Sequence, residues 1–139
     1  MPSILPTEQE KLHAPALLDA GVLIGALLRG DPRHEEAREL VEKARRGDLP
    51  TYTTAGIISE VYGALTWEQA RPQHDPAVAA EAVRLLIEPP SAIAVLEEGR
   101  DTVSLALHLA ARHRLTARRI HDARHAAAAL WAGVTSVYT

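Results

Sequence analysis

Short apolar runs alternate along this chain with stretches whose apolar residues recur at helical spacing. Ala14–Leu28, A-P-A-L-L-D-A-G-V-L-I-G-A-L-L, is apolar or glycine at every position except Asp19. Its opening, Ala16–Leu18 followed by Gly21, predicts a buried strand turning into a short helix over Val22–Leu28. Gly30-Asp31-Pro32 predicts a turn, with Asp31 capping the next helix and Pro32 at its first position. In His34–Arg46 the residues Ala37, Leu40, Val41 and Ala44 form one apolar stripe, with acids early and arginines late, as a helix dipole prefers. Gly47 closes it. Leu49–Thr54 is rich in β-formers and predicts a second strand. Ala55–Leu65 predicts a helix that buries Ile57, Ile58, Val61 and Leu65, and Trp67–Pro76 a polar loop. Pro76–Glu88 predicts a helix stopped by Pro89-Pro90, and Ser91–Leu96 a third strand. Asp101–Leu115, capped by Asp101, and Ile120–Ala132, ended by Gly133, predict two more helices before a last strand, Val134–Thr139. Strands alternating with helices predict an α/β/α sandwich with a mainly parallel sheet.

Composition narrows the picture. The 139 residues suit one domain with a real core, and no repeat or low-complexity tract divides them. Residues 1–13, polar with two prolines, predict a loose arm before a single domain over 14–139. The absence of cysteine excludes disulfides and thiolate metal sites. Ala14–Leu28 is shorter than a bilayer span and carries a charge, and the preceding E-Q-E-K-L-H is wrong for a secretory leader, so a cytoplasmic protein is expected. The net charge of -3 does not mark a nucleic-acid binder, but its distribution is uneven. From Thr102 onward there are five arginines (112, 114, 118, 119 and 124) against one acid, Asp122.

Three carboxylates stand out because their surroundings are apolar. Asp19 lies at the carboxyl end of the first predicted strand, where open α/β sheets bind ligands; it is also suited to cap the helix that follows. Glu60 lies in I-I-S-E-V-Y-G-A-L with Gly56, Gly63 and Ala64 one turn away, which leaves room for a close approach or a ligand. The plainer alternative is a glutamate on the rim of the buried face, paired with an arginine. Asp122 opens the helix H-D-A-R-H-A-A-A-A-L, where the dipole alone favours a negative charge. If the three converge, their repulsion calls for a cation, and all-oxygen ligation selects Mg2+ or Mn2+.

The segments L-L-D-A-G-V-L-I-G-A-L-L, T-Y-T-T-A-G-I-I-S-E-V-Y-G-A-L and R-I-H-D-A-R-H-A-A-A-A-L-W-A-G-V-T-S-V-Y-T resemble, in order and spacing, those of PIN-domain ribonucleases, above all the VapC-type toxins of toxin–antitoxin pairs. The resemblance implies metal-dependent hydrolysis of RNA phosphodiester bonds. It makes Asp19, Glu60 and Asp122 the metal-binding, catalytic acids, and it matches Thr54 to a hydroxyl residue near the site. It also implies an antitoxin partner and a homodimer. Arg118, Arg119 and Arg124 are then candidates to neutralise the RNA backbone, and His121 to touch a phosphate. Two departures accompany the likeness. The family's D-T-N is here Asp19-Ala20-Gly21, and its fourth acid falls two residues beyond the threonine matching Thr139, where this sequence stops. Either the chain is cut short or this member lacks that ligand, which bears on its activity.

Two other readings compete. His121 and His125 at i and i+4, with Asp122 between them, resemble the H-E-x-x-H zinc-hydrolase pattern, but nothing after His125 supplies a third ligand; the plain alternative is a pair of helix-surface histidines. A catalytically impaired PIN-like module that holds RNA or a protein without cutting is the other.

Overall fold

A computed structural model of the chain describes residues 14–139. The arm expected over 1–13 lies outside the described residues. β1 spans Ala16–Leu18 and is followed by α1, Ala20–Leu27, and α2, His34–Arg46. Next come β2, Thr51–Thr54; α3, Ala55–Thr66; and α4, Pro76–Ile87. β3, Ala94–Leu96, and α5, Arg100–Arg112, lead through a single 3-10 turn at Ala117–Arg119 into α6, Ile120–Trp131, and β4, Ser136–Tyr138. The four strands form one sheet in the order β3-β2-β1-β4, and every pairing is parallel. The expected α/β/α sandwich is the observed fold.

A parallel sheet needs a crossover between neighbouring strands, and each crossover here is helical. β1 is buried along its whole length, which is why Ala16–Leu18 carries no polar residue. The main core joins Leu17, Leu18 and Leu23 to Val41, Ile57, Val61, Leu65, Val83 and Ile93. Ile57, Val61 and Leu65 are fully buried, whereas Ile58 is only partly so. α5 and α6 pack on each other through a second, smaller core of Ala106, Ala110, Ala123 and Ala127. Four alanines let two helix backbones approach closely, and Leu105, Leu109, Leu115 and Ile120 pack partly buried around them.

Two caps differ from expectation. Asp31 does not cap α2: its Oδ1 accepts the Arg33 amide at 2.8 Å and its carbonyl accepts the His34 amide, making a separate turn ahead of the helix. Asp101 does not cap α5 either. Gly99 holds that place, its amide donating to Thr102 Oγ1 at 2.8 Å, and Asp101 sits in the first turn. Gly47, by contrast, ends α2 as expected, at φ 83°, in the left-handed conformation that glycine adopts without a steric penalty.

Candidate active site

Because all four strands run the same way, their carboxyl ends share one edge, and the candidate residues are delivered there. Asp19 follows β1 directly. Its amide donates to the Tyr138 carbonyl at 3.0 Å, tying it to the end of β4. Its Oδ1 accepts the Ala20 amide at 2.8 Å and so caps α1. The hydration lost in an apolar run is thus offset by a helix N-terminus and by partial exposure to water. Arg33 lays Nη2 3.5 Å from where a Cβ on Gly21 would be and donates from Nη1 to the Thr139 carbonyl at 3.4 Å. No sequence pattern marked Arg33.

The register that pairs Ala16 with Thr51 and Leu17 with Tyr52, continued two residues, sets Asp19 level with Thr54. Thr54 ends β2, is fully buried, and accepts the Ile57 amide on Oγ1 at 3.1 Å as the N-cap of α3. Glu60 is the sixth residue of that helix, in its second turn. Its partner is not an arginine. His125 of α6 places Nε2 3.0 Å from Glu60 Oε1, and Nδ1 3.3 Å from Thr54 Oγ1. An ionised carboxylate only accepts, so Nε2 is the donor in this pair.

His125 is therefore not a surface histidine: it is 6% exposed, with both ring nitrogens engaged. That removes it from any zinc pair with His121, which is exposed and lies against Arg124. Gly56 explains how the ring fits. A Cβ there would lie 3.2 Å from His125 Cε1 and 3.0 Å from Arg124 Nη2, so this glycine serves a close approach. Gly63 serves none, since nothing lies within 4 Å of its Cβ position.

Asp122 is exposed in the first turn of α6. It precedes His125 by three residues, so the two share a helix face, with Cβ atoms about 5–6 Å apart. Arg124 is not an unencumbered cation. Its Nη2 meets Glu98 Oε2 at 3.1 Å, with the two side chains 35% and 16% exposed. The other Glu98 oxygen is buried without a hydrogen-bond partner among the described residues. Arg118 and Arg119, in the turn that opens α6, are fully on the surface.

The structure thus joins Thr54, Glu60 and His125 by hydrogen bonds and sets Asp19 level with Thr54 on the neighbouring strand. Neither Asp19 nor Asp122 takes part in that hydrogen-bonded trio among the described residues. The donor type suits a hard divalent cation: carboxylates alone, with one oxygen each of Asp19 and Glu60 carrying no hydrogen bond among the described residues. Their spacing does not yet make a ligand set, since among the described residues no three His, Asp or Glu side chains are gathered closely enough to hold a metal ion.

A four-stranded parallel sheet flanked by helices, with Asp19 following its first strand, is an α/β/α architecture. Residues 16–139 match the model of the PIN domain family. The chain belongs to that family of nucleases. Among solved structures it is similar to VapC20 of Mycobacterium tuberculosis, a toxin that cleaves the sarcin–ricin loop. The TM-score is 0.70 at 18% identity, covering 89% of this chain and 88% of that one. No curated protein matches the sequence at a significant level. No helix among the described residues is long and apolar enough to cross a membrane.

Proposed function

We propose that this chain is a Mg2+- or Mn2+-dependent endoribonuclease that hydrolyses RNA phosphodiester bonds, the toxin of a toxin–antitoxin pair. The observation that supports it best is the junction of α3 and α6, where His125, three residues after Asp122, bonds both Glu60 and Thr54, the last residue of the strand that pairs with β1. Asp19, Glu60 and Asp122 would hold the cation, each offering at least one carboxylate oxygen that carries no hydrogen bond among the described residues. Such an ion, when bound, supplies an activated water and a counter-charge for the leaving oxygen. The protein's own part is to bind and orient. Arg118 and Arg119 would meet backbone phosphates near the start of α6, with His121 beside them. Arg124, already paired with Glu98, is better suited to hold α6 in place than to bind phosphate. RNA as substrate follows the VapC20 likeness, and an antitoxin partner and a homodimer come with the toxin reading.

A second reading is a PIN-like module that binds RNA or a protein without cutting it. The absence, among the described residues, of a gathered three-donor cluster favours it. One experiment separates the two. Single-stranded RNA is incubated with the protein and Mn2+, and the assay is repeated with Asp19→Asn. Cleavage that falls at least about 100-fold in the variant supports the nuclease, a loss typical of removing a group that stabilises transition-state charge. Retained RNA binding with no cleavage by either protein supports the module.

A further inference from the structure

We propose that His125 is a positioning residue that fixes the Glu60 carboxylate for cation binding; this rests on the metal-dependent reading above. Glu60 has three rotatable side-chain bonds and is 44% exposed, and its only hydrogen bond among the described residues comes from His125. Left to itself, such a side chain samples many rotamers and presents its oxygens in none of them for long.

His125 has no such freedom. Its ring is buried between α6 and α3, in the space that Gly56 leaves open. Thr54 holds its far nitrogen, and Thr54 is itself pinned by the Ile57 amide at the end of a buried strand. Thr54 Oγ1 already accepts one hydrogen and has its own to give. Giving it to Nδ1 leaves the Nε2 hydrogen aimed at Glu60 Oε1. Order passes in this way from the sheet edge through Thr54 and His125 to Glu60, and Oε1 is held while Oε2 carries no hydrogen bond among the described residues. A buried histidine that merely satisfied its own nitrogens would do as well with any one donor and one acceptor. Here one partner is the helix cap and the other is the acid that the nuclease reading needs.

The test uses the folded full chain and three variants. His125→Gln keeps a donor at the reach of Nε2. His125→Asn keeps only the reach of Nδ1, toward Thr54. His125→Leu keeps neither. Mn2+ binding is followed by EPR of the free ion, alongside RNA cleavage and circular dichroism. The inference expects Mn2+ affinity 10- to 100-fold weaker in the Asn and Leu variants, the range typical for partners of metal ligands, and near wild type in the Gln variant. In cleavage, kcat should fall with Mn2+ limiting while KM for RNA stays unchanged. If the Leu variant does not fold, the Asn and Gln pair carries the comparison. A folded Asn variant that binds Mn2+ as wild type does overturns the inference and leaves the nuclease reading standing, as does one that keeps Mn2+ but loses RNA binding. A wild-type protein that neither takes up Mn2+ nor cuts RNA overturns both.

Discussion

Single residues carry the clearest stability signals. Thr51 is 3% exposed and its hydroxyl has no hydrogen-bond partner among the described residues. Thr51→Val keeps the shape and the β-branch while removing the orphaned oxygen, so it should stabilise the fold by about 1 kcal/mol, read as a rise in the urea midpoint. The two glycines of α3 should respond differently to alanine. Gly63→Ala meets empty space and should gain about 0.5–1 kcal/mol from helix propensity. Gly56→Ala meets the His125 ring, which two hydrogen bonds hold in place, and should cost about 1–3 kcal/mol by overpacking. Thermal melts of the two variants, shifting in opposite directions, check the pair. Before any coordinates these two glycines look alike, because each is simply one turn from Glu60. What separates them is α6, which approaches Gly56 alone. His125 is hidden for the same reason: its partners lie 71 and 65 positions away in the chain, and no local pattern reports such a contact. Asp19 was legible because its environment is anomalous within its own run.

At the scale of elements, apolar periodicity carried most of the information. The stripe Ala37, Val41, Ala44 is the buried side of α2, and Ile57, Val61, Leu65 that of α3. Strands and helices fall in the expected order, with ends that differ by a few residues. Helix starts were harder to place. Asp31 and Asp101 are good capping residue types, yet each lies in a turn where a nearby residue takes the position, because a side chain can bond a local amide in more than one register. Thr54 shows the opposite case, a cap that tertiary structure also employs. Thr54→Val should cost about 2 kcal/mol, from the lost cap and from leaving the Ile57 amide unpaired, while Thr54→Ser should recover most of it. Chemical denaturation of both variants measures the difference, with helix content followed by circular dichroism.

For the whole molecule, the uneven charge matters more than its total. Arg118 and Arg119 are exposed at the start of α6 while most of the acids lie earlier in the chain. If they meet phosphates, replacing either by alanine should weaken RNA binding across sequences and reduce the slope of log affinity against log salt by about 1. Filter binding at several salt concentrations gives that slope, and an unchanged slope places the RNA elsewhere. The sheet connects the two ends of the domain: Ala16 pairs with Ser136, and the Asp19 amide is held by Tyr138. A polypeptide still emerging from its ribosome therefore carries its leading carboxylate long before the strand that secures it has been synthesised. The proposed cutting surface is thus assembled only once β4 has been made, and products terminated before that strand should be harmless to the RNA around them.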